Sequence, residues 1–244
     1  MIYVRSFILL VFFYVWTFFW SVVAMLVLPL PRKWALFPQE LWSRGFQKAL
    51  PLLVGIRVKY LGMENLPEGG AIIACKHEST WEITVFQGLL KDPAMVLKEE
   101  IRNIPLFGWY VRKLKMIGVD RSAGSRALRG MLKAAKNAAN EGRKLVIFPE
   151  GTRNTSESNA EFQSGVYGLY GTLKLPVVPV AINAAKLWPH KSFLRHPGTI
   201  YMEFLPPIEP GLSKQEFMQT LASQIADTSA KLRDMAFENK SNAS

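Results

Sequence analysis

The 24 residues from Phe7 to Leu30 carry no charge, and only Thr17, Ser21 and Pro29 interrupt the apolar run. As a helix rising about 1.5 Å per residue, the stretch reaches about 36 Å, enough to cross the roughly 30 Å hydrocarbon layer of a bilayer. A chain of 244 residues buries one good core, so one domain plus a membrane element is the economical organisation. The run is longer than the apolar part of a signal peptide and no small-x-small cleavage site follows it, so it is read as retained. Arg5 precedes it, whereas Arg32, Lys33, Arg44, Lys48, Arg57 and Lys59 follow. If the run spans, the positive-inside rule puts the rest of the chain in the cytoplasm.

Trp34 to Val54 is a second, amphipathic stretch, with Leu36, Phe37, Leu41, Trp42, Phe46, Leu50 and Leu53 near helical spacing. Aromatic and basic residues together suit the bilayer interface, while the plainer alternative is a helix packed on the core. Trp16, Trp20, Trp34 and Trp42 divide in the same way between interface anchoring and packing. The globular part begins near Ile56, giving a membrane element over 1–55, an α/β domain over 56–238 and a polar, frayed tail over 239–244. Within the domain, strands and helices alternate, which predicts an α/β layered fold. The expected strands are Arg57–Leu61, Ala71–Cys75, Ala94–Leu97, Met116–Val119, Lys144–Phe148, Val177–Ile182 and Thr199–Phe204. The expected helices are Ser79–Leu90, Pro105–Lys113, Ser122–Glu141, Gly165–Leu173 and Ser213–Met235. Asn154-Thr155-Ser156 and Asn242-Ala243-Ser244 fit the glycosylation pattern, which a cytoplasmic orientation makes meaningless.

A net charge of +11 calls for an anionic partner. Most of it is local: residues 98–153 hold thirteen Lys and Arg against five acids. A nucleic-acid binder shares such basicity but needs basic-aromatic modules or a recognition helix, and has no place for the apolar run; no nucleic-acid partner is expected. The single cysteine, Cys75, excludes an intramolecular disulfide, and its apolar surroundings predict a small buried residue. The three histidines are too scattered for a metal motif, and no metal is expected.

Chemistry enters at Ala71–Glu82, where an apolar run breaks at Lys76 and His77 follows at once. An imidazole takes a proton from an alcohol near neutral pH, and does so better when a carboxylate holds the ring. Glu82 is a candidate for that carboxylate. Five residues on one helix leave two side chains about 140° apart, so the pairing requires His77 in a loop and Glu82 in the first helical turn, reaching back. Ser79-Thr80-Trp81-Glu82 is equally an S-x-x-E capping box, in which Glu82 bonds only the Ser79 backbone. Glu150, in Phe148-Pro149-Glu150-Gly151-Thr152-Arg153, is open to a plain reading as a helix-end charge or a solvated loop acid.

Four segments in order resemble the membrane-bound glycerolipid acyltransferases, in particular the 1-acylglycerol-3-phosphate (lysophosphatidic acid) acyltransferases. His77–Glu82 is similar to their first block, Lys98–Ile101 with Pro105–Gly108 and Val119–Arg121 to the second, Phe148–Arg153 to the third, and Leu175–Val180 to the fourth. The likeness covers about residues 57–205. Two positions depart from it: Glu82 stands where aspartate is usual, a Trp-Glu ending similar to some bacterial members, and Gln163 stands where many carry lysine or proline.

The resemblance implies a mixed, mostly parallel sheet flanked by helices, with an N-terminal hydrophobic two-helix membrane element. It implies acyl transfer from acyl-CoA or acyl-carrier protein to the sn-2 hydroxyl of 1-acylglycerol-3-phosphate, giving phosphatidic acid, with no cofactor beyond the donor. His77 then serves as base and Glu82 orients it. Lys98, Arg121 and Arg153 hold the acceptor phosphate, while Glu150, Gly151 and Thr152 shape the glycerol pocket. Membrane lipids are partners, and the expected location is a bacterial inner membrane with the domain on its cytoplasmic side. Acylation of another lysolipid, such as lyso-ornithine lipid, and a non-catalytic membrane-anchored lipid binder are the alternatives.

Overall fold

A computed structural model describes residues 1–153 and 162–241; both Asn-X-Ser sequences, at Asn154 and Asn242, lie outside the described residues. Seven strands form one sheet: β1 (Ile56–Leu61), β2 (Ile72–Cys75), β3 (Ala94–Lys98), β4 (Ile117–Val119), β5 (Leu145–Ile147), β6 (Val177–Ile182) and β7 (Gly198–Phe204). Their order across the sheet is β1-β7-β6-β2-β5-β3-β4. The five strands from β6 to β4 are parallel, β7 runs antiparallel to β6, and β1 runs parallel to β7. Strands β2 and β6 are buried at every residue, as central parallel strands covered on both faces must be.

Alternate strand residues face opposite layers. Ile73, Cys75, Val146 and Val178 meet the helices α1 (Ile2–Val27), α2 (Arg32–Val54), α3 (Trp81–Leu89) and α5 (Phe107–Lys113). Ile72, Ala74, Leu145 and Val177 meet α6 (Ser125–Asn140), α7 (Ser164–Leu173) and α8 (Lys214–Ser241). Connections moving toward the β4 edge thus lie on one face and those returning lie on the other, which keeps the parallel crossovers of one hand. A single turn, α4 (Glu99–Arg102), follows β3. Helix α8 continues through Ser241, so the tail expected from residue 239 is helical up to there; polar residues do not stop a helix that is already propagating.

Helices α1 and α2 form a hairpin. Trp16 Nε1 donates to the Trp42 carbonyl at 2.9 Å, and Trp42 Nε1 donates to Thr17 Oγ1 at 3.0 Å. Trp16 lies on Gly45, where any Cβ would fall 2.3 Å from the indole. Trp16 and Trp42 are therefore packing residues, while Trp34 is exposed. The hairpin is tied to the domain at both ends. Ser6 Oγ accepts the Arg195 N–H at one end, where Arg5 also donates to the Leu53 carbonyl of α2; Arg32 makes a two-pronged pair with Asp92, at 2.8 and 2.6 Å, at the other. Of the described helices, Ile2–Val27 alone is long and apolar enough to cross a membrane, and only 11% of its most apolar window is buried. Phe7, Val11, Tyr14, Val15, Phe18, Val22 and Leu26 face outward.

Candidate functional site

The C-terminal ends of the parallel strands share one edge of the sheet, where α/β proteins gather their reactive groups. Because β2 pairs with β5, with Ala74 opposite Ile147, the segment after Cys75 and the segment after Ile147 emerge side by side. A sequence separation of 73 residues is closed by one strand pairing.

His77 sits in the loop after β2, and Glu82 is the second residue of α3. His77 Nδ1 lies 2.8 Å from Glu82 Oε1. The same oxygen accepts the Ser79 backbone N–H at 2.8 Å, and Glu82 Oε2 accepts the Ser79 hydroxyl at 2.6 Å. Ser79 Oγ in turn accepts the Trp81 N–H at 3.0 Å. The orienting role and the capping role are thus not rivals: a carboxylate has lone pairs enough for both. Glu82 is fully buried, and each of its oxygens has a donor, as a buried carboxylate requires. The Phe148 ring stacks on the imidazole with centroids 4.3 Å apart, fixing its plane. With Nδ1 committed to Glu82, Nε2 is the nitrogen left for proton transfer.

Glu150 is buried rather than solvated, and its Oε2 accepts the His77 backbone N–H at 3.3 Å. Burial pushes its carboxyl up to about 8, against the pull of the Lys76 ammonium and of that N–H. Gly151 adopts φ +70°, a conformation that favours glycine, and a Cβ there would lie 3.9 Å from Arg121 Nη1 and 3.1 Å from Gln163 Cγ. Arg121, at the end of β4, thus reaches back across the edge to the Glu150–Gly151 turn. Arg153 Nη1 lies 3.4 Å from His190 Nδ1, and its buried Nε has no partner among the described residues. Thr152 is exposed, and among the described residues its side chain makes only a long bond from Oγ1 to the Arg153 carbonyl. Lys98 ends β3, two strands from β2, and its side chain makes no hydrogen bond or ion pair among the described residues. The structure therefore joins His77, Glu82 and Glu150 directly, brings Arg121 to Gly151, and leaves Lys98 on the same edge but apart.

Residues that local reading passed over hold the loop in place. Glu78 is buried, with Lys76 Nζ at 3.0 Å, the Ala185 backbone N–H at 2.9 Å and Arg233 Nη1 at 3.9 Å. Its carboxyl is raised by burial, with Lys76 opposing. Thr80 Oγ1 accepts the Trp188 indole N–H at 2.9 Å. These partners come from the loop after β6 and from α8, and no spacing in the chain links them to residue 78. Cys75 is buried, and burial raises its thiol far from reactivity. Among the described residues no cluster of three or more His, Cys, Asp or Glu could hold a metal ion.

Residues 57–183 match the family described as acyltransferase. A 1-acyl-sn-glycerol-3-phosphate acyltransferase of Pseudomonas aeruginosa is 33% identical over 221 residues, covering 88% of this chain and 86% of that protein. One of Saccharomyces cerevisiae is 30% identical over 218 residues, covering 86% of this chain and 72% of that protein. In fold, the chain is similar to the crystal structure of the 1-acyl-sn-glycerophosphate (LPA) acyltransferase from Thermotoga maritima, with a TM-score of 0.76 at 24% identity, over 96% of this chain and 98% of that one.

Proposed function

This chain belongs to the acyltransferase family, and from that premise we propose that it acylates the sn-2 hydroxyl of 1-acylglycerol-3-phosphate, giving phosphatidic acid. The observation that carries the reading is the 2.8 Å contact between His77 and Glu82 at the end of the central strand, with guanidinium groups gathered at the same edge. His77 Nε2 takes the hydroxyl proton as the oxygen attacks the thioester carbon of the donor, acyl-CoA or acyl-carrier protein. A C–O bond forms, the C–S bond breaks, and the proton passes to the leaving thiolate. The attacking oxygen belongs to the substrate, so no acyl-enzyme is required. Glu82 holds the imidazole and steadies its cation.

Arg121 and Arg153 hold the acceptor phosphate, a task suited to guanidinium's forked donors; the unpartnered Arg153 Nε supports this. Lys98 adds charge from the neighbouring strand end. Glu150, Gly151 and Thr152 bound the glycerol, with Gly151 admitting close backbone approach. The outward face of α1 draws the substrates from lipid. Because α2 runs beside α1 with the exposed Glu40–Arg44 pair and both ends of the hairpin are tied to the domain, α1 lies along one leaflet rather than across the bilayer. The cytoplasmic leaflet of a bacterial inner membrane meets these needs, since soluble acyl thioesters are on that side.

The test is thiol release with lysophosphatidic acid and each acyl donor, alongside other lysolipids as acceptors. Wild type should release thiol fastest with lysophosphatidic acid, and His77→Ala should lose at least about 10³-fold in kcat. Equal release by both proteins overturns the catalytic role, and a faster reaction with another lysolipid overturns the acceptor.

A further inference from the structure

The basic excess is concentrated on one helix face. Arg126, Arg129, Lys133 and Lys136 are all exposed, and at 100° per residue they fall within about 80° of arc, rising about 15 Å along α6. No acid occurs anywhere in Ser125–Asn140. None of the four is in an ion pair among the described residues. The adjoining cleft of about 730 Å³ over the open edge of β4 is also basic, but there Arg102, Lys115 and Arg143 meet Glu99, Glu141 and Asp92. Three of the cleft's four basic side chains are thus ion-paired and the fourth, Arg112, bonds Asn103 Oδ1, whereas on the helix face the Asp120 carboxylate acts on Arg126 without forming an ion pair.

Its position narrows the partner. Helix α6 packs on the sheet face opposite α1 and α2, so with α1 in lipid the stripe points into water. An anionic leaflet cannot be served from there. The row is convex and open: a Cβ on Gly124, Gly130 or Gly142 would meet nothing within 4 Å. A nucleotide's phosphates call for a concave site, while a long convex row of cations matches an acidic protein surface. The helix starts four residues after Arg121, which reaches the Gly151 turn beside His77. A body seated on α6 therefore stands at the margin of the active site.

We infer that the exposed face of α6 is the docking surface for a soluble acidic carrier protein, whose flexible thioester-bearing arm passes the Arg121 end of the helix to reach His77. This rests on the acyl-transfer reading above and selects the carrier protein as a donor recognised through its own surface.

The double variant Arg129→Glu/Lys133→Glu tests it, both residues being exposed and neither being one of the residues placed in the site. Steady-state rates are measured with acyl-carrier protein and with acyl-CoA, at low and high salt. The expected result is a rise in KM for acyl-carrier protein of about tenfold or more, with kcat and KM for acyl-CoA and for lysophosphatidic acid unchanged. In wild type, added salt should weaken the carrier-protein reaction selectively. An equal rise for acyl-CoA makes the stripe a nucleotide site and overturns the inference, as does an unchanged carrier-protein KM. Loss of binding to anionic vesicles, with carrier-protein kinetics intact, assigns the face to the membrane and overturns it too. Failure of wild type with both donors overturns the acyl-transfer reading itself, a result distinct from all of these.

Discussion

Two buried glutamates touch the His77 segment, and they are held in opposite ways. Glu82 has three donors aimed at its two oxygens: the His77 ring, the Ser79 N–H and the Ser79 hydroxyl. Glu150 has one backbone N–H, at 3.3 Å. Both are buried, and with so few donors Glu150 has its carboxyl pushed up by burial to about 8. Burial sets the cost of charge and the number of donors sets how much of it is returned. In the proposed mechanism the carboxylate that steadies an imidazolium needs many donors, and the one that lines a pocket for a neutral glycerol backbone does not.

The comparison breaks most sharply at Glu82→Gln, which keeps shape and removes charge. We expect kcat to fall by about 10²-fold or more with an unchanged circular dichroism spectrum, and Glu150→Gln to lose about tenfold at most. Equal losses would erase the distinction. Glu150→Gln sharpens it through pH. The folded protein holds the Glu150 proton up to about 8, against an ordinary value of 4.5. That contribution to stability is full below the ordinary value and is lost as pH rises through about 8. Melting temperatures should thus fall over this window more in wild type than in Glu150→Gln; parallel curves would show that Glu150 ionises freely. Smallest is Ser79→Ala, which removes one donor to Glu82 and keeps the backbone N–H. A destabilisation of about 1.5–3 kcal/mol in denaturant titration and a few-fold loss of kcat are expected; no change in either would mean that water replaces the hydroxyl.

Most elements were legible because apolar period and length marked them. Val177–Ile182 stands as the sequence predicts, and other boundaries move by at most three residues, except at the start of the first helix, which lies at Ile2 rather than Phe7, and at the end of the last. Strand β5 stops at Ile147 because Pro149 has no N–H for a ladder. The single turn α4 is too short to show a period. Strand order and the antiparallel β7 were not legible, since a buried run reads alike in any neighbourhood and direction. In the site, His77, Glu82 and the Phe148–Arg153 segment announce themselves through reactive residue types. What escaped was how Glu82 divides its oxygens and what Glu78 does, because each depends on where a neighbour lands in three dimensions. Opposing the capping box to the orienting acid was a false choice, created by counting residues rather than lone pairs.

Glu78 carries a consequence for the order in which the protein is made. Its partners are Lys76, two residues back, the Ala185 N–H and the Arg233 guanidinium. During synthesis the histidine loop emerges well before its last tether, Arg233, which lies 155 residues beyond Glu78. Domains tend to form as they leave the ribosome, so this loop stays only partly braced until α8 has been made. A nascent chain carries His77 long before it carries everything that holds its loop still.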